Sequence, residues 1–216
     1  KVGDNMFLFR DSLPKLKGYV RFIHNIPDAP NIDIYFNDKI IFTGLSFGNV
    51  THYIPISPET YSVKLVKSGS QDKPYINEPL QVLPDSISTI NITFEDNKIA
   101  FFSVDDSHTM YNPFLSYVRF INLAPTAPLL SLRLPDDRVL FNETSYLETN
   151  NYYPTSPGVY NFIVSTSDGN FSKYISDIHL TPNLYITIYM IGLYDKTPPL
   201  GYILVKDGLK TPRHKK

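Results

Sequence analysis

The residues best suited to chemistry in this chain are one histidine and two aspartates, which fall within a stretch of ten positions. His24, Asp28 and Asp33 place one imidazole nitrogen and two carboxylates around a Pro-Asp-Ala-Pro turn. A nitrogen and two oxygens form a ligand set that suits a divalent cation. The alternative is structural, because an aspartate in a turn commonly bonds to its own backbone. Asp33 would then pair with Arg21 or His24 on the adjacent strand.

An internal repeat bears on this choice. Residues 18–30 (GYVRFIHNIPDAP) recur as residues 116–128 (SYVRFINLAPTAP), with eight of thirteen positions identical at an offset of 98. The second copy keeps the arginine and the prolines but has Asn122, Thr126 and Ser131 in place of the histidine and the two aspartates. A turn that both domains need for folding would keep its arginine and prolines without the acidic residues, whereas a metal site shared by both copies would have to keep its ligands. We therefore favour the structural role and predict neither a metal nor a cofactor.

Other catalytic patterns are missing from the sequence. The chain has no cysteine, which excludes thiol catalysis, zinc–thiolate sites and disulfides. It has no Gly-x-Ser-x-Gly motif and no glycine-rich phosphate loop. The pairs Asp105-Asp106 and Asp136-Asp137 are expected to be solvated, in a linker and in a hairpin turn. Nothing in the sequence around them would push their pKa values apart, as acid–base catalysis requires. We predict a protein that is not an enzyme.

Composition and periodicity predict an all-β chain. Only 4 Ala and no Trp accompany 16 Tyr and 14 Phe, and short alternating strands are separated by turn residues. A repeat of nearly one hundred residues is the length of a β-sandwich domain. We predict two tandem Ig-like β-sandwich domains related by internal duplication. The predicted order is an N-terminal arm (1–17), a first domain (18–105), a linker (106–115), a second domain (116–208) and a basic tail (209–216). The predicted cores contain Phe22, Ile34, Val63 and Ile92 in the first domain and Phe120, Leu132, Phe162 and Ile188 in the second.

The charge of the chain does not favour nucleic acid or an acidic membrane surface as a partner. Lys and Arg number 20 against 21 Asp and Glu, which gives a net charge of −1. No apolar run reaches the roughly 18 residues that span a bilayer. Because the sequence begins at Lys1, we expect that an upstream segment, such as a secretion signal, was removed. The expected location is extracellular or on the surface of a cell or spore.

Two apolar stretches are candidates for contacts with other proteins. Phe7, Leu8 and Phe9 form an apolar arm that has no counterpart before the second copy. This arm would pack on its own first domain or add a strand to a neighbouring subunit. Tyr185 and Tyr189 alternate with apolar residues, and facing outward they would suit contacts with protein or sugar. The alternative is that these tyrosines pack within the domain or between the domains.

Residues 19–37 (YVRFIHNIPDAPNIDIYFN) resemble the opening of the family catalogued as domain of unknown function 4397. Phe-Gly at positions 47–48, Tyr53 and Tyr61 also stand at places typical of this family, although Glu59 occupies the usual glycine. The resemblance covers both copies and is weaker in the second. It implies a tandem pair of Ig-like or transthyretin-like sandwiches on exported or cell-surface proteins of bacteria and archaea. It implies no known catalysis.

Three functions remain open. The first is a non-enzymatic structural or adhesive module of a bacterial surface, such as a cell wall, spore coat, appendage or fibre, which binds other surface proteins or copies of itself. The second is a module that binds a carbohydrate or small ligand through exposed tyrosines, and the third is a hydrolase. Glycan arrays and the oligomeric state of the native protein would separate the first two.

Overall fold

The computed structural model of the chain describes residues 16–70, 73–96, 98–107 and 112–209. This part of the chain contains no helix, so the all-β prediction is confirmed. Its strands are β1 (Gly18–His24), β2 (Ile32–Phe36), β3 (Lys39–Leu45), β4 (Ile54–Ile56), β5 (Thr60–Lys67), β6 (Ile76–Gln81), β7 (Ile87–Glu95), β8 (Lys98–Asp105), β9 (Ser116–Asn122), β10 (Leu130–Arg133), β11 (Val139–Thr144), β12 (Tyr153–Thr155), β13 (Gly158–Thr166), β14 (Ser172–Leu180), β15 (Tyr185–Ile191) and β16 (Gly201–Lys206).

The first eight strands, called copy one below, form a sandwich of two four-stranded sheets. One sheet has the order β4-β1-β7-β8 and is called the inner sheet of copy one. The other has the order β3-β2-β5-β6 and is its outer sheet. The strands pair antiparallel except for β1 and β7, which run parallel with Phe22 opposite Ile90.

Strands β9–β16, called copy two, repeat this arrangement. The inner sheet has the order β12-β9-β15-β16 and the outer sheet β11-β10-β13-β14. The one parallel pair recurs at the same place, with Phe120 on β9 opposite Ile188 on β15. Two β-sandwich domains with one topology follow from the duplication seen in the sequence.

Each sandwich has its own apolar core between its two sheets. All eight predicted core residues are 0% exposed, and each lies in the cluster of its own copy, which confirms the prediction. A phenylalanine of β1 or β9 points inward, and its neighbours in sequence must then point to the other face of the inner sheet. That second face is also buried in both copies.

A third apolar cluster explains this burial, because it joins the second faces of the two inner sheets. Ile23 and Val104 of copy one pack there with Ile121, Tyr189 and Val205 of copy two. The molecule therefore stacks four sheets in the order outer, inner, inner, outer. Such a large apolar contact restricts motion of one domain against the other.

The predicted N-terminal arm cannot be placed, because Phe7, Leu8 and Phe9 lie outside the described residues. The same holds for the last residues of the predicted basic tail, from position 210 onward. The described chain begins with Leu16 and Lys17, directly before β1.

Truncating the central phenylalanine of either copy should be costly. Phe22→Ala and Phe120→Ala each remove a fully buried ring, and each should lower the free energy of unfolding by about 3–5 kcal/mol. Urea denaturation measures this change. Phe114→Ala is the control, because that ring is 78% exposed and its loss should leave stability unchanged. If Phe22→Ala or Phe120→Ala were as stable as the control, that copy would not have a core of its own.

Candidate functional site: an arginine–aspartate cluster between the domains

The contact between the two inner sheets buries four charged side chains. Arg21 on β1 and Arg119 on β9 occupy the same position of the repeat. Asp106 and Asp207 each follow the last strand of their copy. The four residues are between 0% and 8% exposed. Because a buried charge is very costly unless it is paired and hydrogen-bonded, the partners of these four groups matter for the whole fold.

Each arginine bonds to the aspartate of the other copy. Nη2 of Arg21 donates to Asp207 Oδ1, and Nη1 donates at 2.8 Å to the carbonyl oxygen just before Asp207. Nη2 of Arg119 donates to Asp106 Oδ1, and Nη1 donates at 2.7 Å to the carbonyl just before Asp106. Each arginine also lies near the aspartate of its own copy. Asp106 Oδ2 is 3.6 Å from Arg21 Nη2, and Asp207 Oδ2 is 3.7 Å from Arg119 Nη2. The arginines thus cross between the domains in opposite directions.

In copy one, hydroxyl groups hold both the arginine and the aspartate in place. Arg21 Nε donates to Thr89 Oγ1 at 2.7 Å, and that hydroxyl donates to Asp106 Oδ2. Tyr53 also donates to Asp106 Oδ2, at 2.8 Å. The guanidinium carbon of Arg21 lies 4.4 Å from the centre of the Tyr53 ring, a distance typical of a cation–π contact.

Copy two repeats each of these contacts. Arg119 Nε donates to Thr187 Oγ1 at 2.9 Å, and Thr187 donates to Asp207 Oδ2 at 2.6 Å. Tyr152 donates to the same carboxylate oxygen at 2.8 Å, and its ring centre lies 4.3 Å from the Arg119 guanidinium. Reciprocal contacts of this kind are the pattern of a two-fold symmetric dimer interface, here formed within one chain.

Tyr189 breaks the symmetry inside this cluster. Its side chain is 0% exposed, and its hydroxyl has no hydrogen-bond partner among the described residues. The equivalent position of copy one, 98 residues earlier, is Asn91, whose amide nitrogen donates to the carbonyl of Phe102 at 3.2 Å. Burial, together with Asp106 and Asp207, raises the pKa of Tyr189, so this hydroxyl stays protonated.

The pKa values of the cluster show which of its side chains are charged and which are neutral. Burial and the nearby Asp207 raise the pKa of Asp106, while the two arginines oppose that rise. Burial acts against the charge of Arg21, but Asp207 and the other anionic neighbours outweigh it and raise the arginine pKa. Burial and Asp106 raise the pKa of Tyr53. The hydroxyls therefore remain donors to the carboxylates and are poor nucleophiles or bases.

Two clefts lead from the surface to this cluster. The larger, of about 920 Å³, is lined by Arg21, Tyr53 and Asp207 together with residues of copy two. The smaller, of about 360 Å³, is lined by Arg119 and Tyr152. These are equivalent places in the two copies, and they are where a small ligand could approach the arginines.

Tyr185 and Tyr189 were predicted to face solvent, but they are only 3% and 0% exposed. The outward-facing prediction is wrong for a physical reason: the second face of β15 packs against the other domain. Tyr189 belongs to the cluster between the domains, which was the alternative. Tyr185 stacks on Tyr117 with ring centres 4.3 Å apart and meets Tyr152 edge-on at 5.1 Å.

His24 has a structural place at the end of β1. Its Nδ1 accepts the N–H of Ile26 at 3.3 Å, so Nε2 carries the proton and donates to the Pro30 carbonyl at 3.2 Å. Asn122, which replaces it in copy two, accepts the N–H of Ala124 through Oδ1 at 3.0 Å. The two residues hold the same turn, which is why an amide can replace the imidazole.

Asp33 is also bonded to backbone, and not to Arg21 or His24 as predicted. Its Oδ1 accepts the N–H of Gly44 at 2.8 Å and its Oδ2 that of Gly69 at 3.2 Å. In copy two, Ser131 accepts the N–H of Glu143 through Oγ at 2.9 Å. Burial opposes the negative charge of Asp33, but these N–H groups and Ser68 lower its pKa.

The third candidate ligand lies apart from the other two. Asp28 is exposed in the Pro-Asp-Ala-Pro turn, and its φ of 57° is a left-handed backbone conformation. Within the described ranges, no group of three His, Cys, Asp or Glu residues could hold a metal ion.

Asp106 is a residue of the cluster that was predicted from the sequence to be solvated. It is 0% exposed, because the linker that contains it starts inside the domain contact and not in solvent. A signal was present, since Val104-Asp105-Asp106 and Val205-Lys206-Asp207 share a Val-x-Asp pattern at an offset of 101. The sequence repeat also contains Arg21 and Arg119, but no sequence pattern links Arg21 to Asp207, which lies 186 residues away.

The family described as domain of unknown function (DUF4397) matches residues 18–133, which is more than half of the chain. The chain belongs to the DUF4397 family. The DUF4397 match spans all of copy one with β9 and β10, so it contains Arg21, Arg119 and Asp106 but not Asp207. No curated protein matches the chain. In the described part of this DUF4397 protein, no helix is long and apolar enough to cross a membrane.

Removing one arginine should strongly destabilise this DUF4397 protein. Arg21→Met leaves the buried Asp207 without its hydrogen-bonded cation, and the free energy of unfolding should fall by about 3–5 kcal/mol. Arg119→Met should have the same effect, because its contacts are equivalent. Arg138→Met is the matched control, since it breaks an exposed pair with Asp136 and should change nothing measurable in urea denaturation. Equal stability of cluster variants and control would refute the structural role of the cluster.

Asp33→Asn should lower the free energy of unfolding by roughly 1–3 kcal/mol, because it weakens the charge-assisted bonds that the buried Asp33 side chain accepts from two backbone N–H groups. Asp28→Asn is the control and should be neutral, because Asp28 is exposed. Elemental analysis of both variants and of the native protein should find no stoichiometric metal. Metal that is present in the native protein and lost with Asp33→Asn would instead restore the metal site.

Acid should destabilise the fold partly through His24. Burial lowers the His24 pKa below its ordinary 6.5, so around and below that pH the unfolded chain binds a proton that the folded chain excludes. Stability therefore falls as the pH drops through this window and is recovered above it. His24→Asn should flatten this part of the profile of unfolding free energy against pH. The exposed His52→Asn is the control, and profiles equally flattened by both variants would contradict the assignment.

Proposed function

We propose that this DUF4397 protein is a non-enzymatic structural or adhesive module of an exported bacterial surface, which acts through protein–protein contacts. The observation that carries the proposal is the reciprocal arginine–aspartate exchange. It joins two sandwiches into one block, and it directs the buried charged groups at each other and not at a substrate. The exported location is supported by the resemblance of residues 19–37 to surface members of the family.

The outer sheet of copy two offers a surface for such contacts. Val139, Arg133, Ile163 and Tyr174 are successive cross-strand partners on it. Val139 is 51% and Tyr174 is 54% exposed, so apolar area remains at both ends of this row. A row of exposed apolar residues that includes an arginine is the kind of surface that a protein partner covers.

The edge of the same sheet also supports assembly. Strand β14 is nine residues long, contains no proline, and pairs on one side only, with β13. By contrast, the corresponding edge strand of copy one, β6, contains Pro79, which cannot donate a hydrogen bond to an added strand. An edge strand without proline can accept hydrogen bonds from a further strand, here over the part of β14 that precedes the irregularity at Asp177.

Binding of a carbohydrate or small ligand is the second candidate, and the two clefts beside the cluster favour it. The larger cleft brings His52, Asn183 and Tyr53 to one opening. The tyrosine faces expected to stack on sugar rings are, however, covered by the arginines or buried, as for Tyr53 and Tyr185.

Light scattering of the native protein over a range of concentrations tests the proposal. Self-association should increase with concentration, and Tyr174→Lys should reduce it by charging the exposed row. Leu83→Lys, at a similarly exposed apolar residue of copy one, should leave it unchanged. A monomer at all concentrations that binds members of a glycan array would favour the second candidate instead.

A further inference from the structure

The two copies differ most at the end of the sandwich that holds the Pro-x-Ala-Pro turn. In copy one, β7 ends at residue 95 and β8 begins at residue 98, so the connection is a tight turn. In copy two, residues 192–200 connect β15 to β16 and form a longer loop. This loop folds back on itself at Gly192, where a Cβ atom would lie 2.3 Å from the carbonyl oxygen of Pro199.

In copy two this loop sits on the turn and packs a partly buried aromatic ring against the core. The backbone N–H of Tyr194 donates to Thr126 Oγ1 at 2.8 Å. The Tyr194 hydroxyl donates to Asp168 Oδ2 at 2.6 Å, and its ring packs against the core cluster of copy two. The loop therefore covers part of this end of the sandwich with a tyrosine.

The equivalent end of copy one is open. A pocket of about 250 Å³ lies there, lined mainly by apolar side chains such as Ile26, Leu65 and Phe94. Asp28 also lines it and is the counterpart in sequence of Thr126, which binds the tyrosine loop in copy two, although of these two residues only Asp28 has a positive φ. A cavity of about 150 Å³ with apolar walls is enough to bind benzene, so the pocket has room for one aromatic ring.

The opening that remains on copy two is different in kind. It measures about 330 Å³ and is lined by Phe171 and by the loop's own residues, among them Tyr194 and Pro199. Its walls include no residue of the Pro125–Pro128 turn. The loop thus occupies in copy two the position that stands open in copy one.

We propose that the pocket beside the Pro27–Pro30 turn is a docking site for a tyrosine carried on a loop of a partner protein. Copy two shows the geometry, with the ring against the core and a backbone N–H bonded to the turn. In copy one the Asp28 carboxylate would accept that N–H, and a charged acceptor makes such a bond stronger. The inference rests on the proposed function only in that the partner is a protein.

Two probes test this site in the full chain. The first is a cyclic peptide with the sequence of residues 192–200 (GLYDKTPPL), and the second is p-cresol, which is the tyrosine side chain alone. The peptide should cause saturable shifts of the NMR methyl signals of Ile26, Leu65 and Ile99. The same peptide carrying Tyr194→Ala should bind at least about tenfold more weakly, because the ring supplies most of the apolar area buried.

Variants of the protein locate the binding. Ala29→Leu should fill the pocket and abolish the shifts, whereas Ala127→Leu, at the equivalent place in copy two, should leave peptide affinity unchanged. Asp28→Gly should weaken peptide binding, since it removes the acceptor and keeps a residue that tolerates positive φ. This variant decides the question if Ala29→Leu fails to fold.

Binding of p-cresol without binding of the peptide would overturn the proposal of a protein loop. So would peptide binding that neither Ala29→Leu nor Asp28→Gly reduces. The surface that carries Tyr174 belongs to copy two. Failure at this pocket therefore leaves the scattering result intact, and a monomeric protein that binds the peptide would refute only the self-association.

Discussion

A guanidinium that is removed from water must find a carboxylate, and in this protein the carboxylate belongs to the other domain. Arg21 bonds to Asp207 and Arg119 bonds to Asp106, whereas the aspartate of the same copy lies farther away, at 3.6 Å from Arg21 and 3.7 Å from Arg119. Another relative position of the two domains would break both hydrogen-bonded pairs, and breaking a buried pair costs several kcal/mol. The apolar contact around the cluster supplies area, and the charges select one orientation. The four-layer stack, the two clefts and the exposed outer sheets all follow from that orientation.

The duplication allows one copy to be used as a control for the other. His24 and Asn122 hold equivalent turns through different acceptors, and Asp33 and Ser131 do the same for equivalent N–H groups. These positions tolerate chemical change because only an acceptor at the right place is required. The position of Arg21 and Arg119 is different, because the contacts there require both the charge of the guanidinium and the geometry of its several N–H groups. Both copies have arginine at this position.

The sequence predicted what depends on local pattern. Strand alternation and turn residues are enough to give an all-β chain, and the repeat gives two sandwiches with cores around Phe22 and Phe120. Alternation also shows that β15 has two different faces. It does not show what covers the second face, because Tyr and Thr suit solvent and a polar interface equally. For this reason Tyr189 was expected outside and Asp106 was expected in water. The pairing of residues 186 positions apart lies beyond any local pattern.

Calorimetry of the intact chain tests the central claim most directly, namely that the arginine–aspartate exchange makes the two sandwiches one cooperative unit. The account predicts a single thermal transition whose calorimetric enthalpy equals its van't Hoff enthalpy. Two resolved transitions would contradict it, as would a calorimetric enthalpy of about twice the van't Hoff value. Either result would mean that the sandwiches unfold independently and that the buried exchange does not couple them.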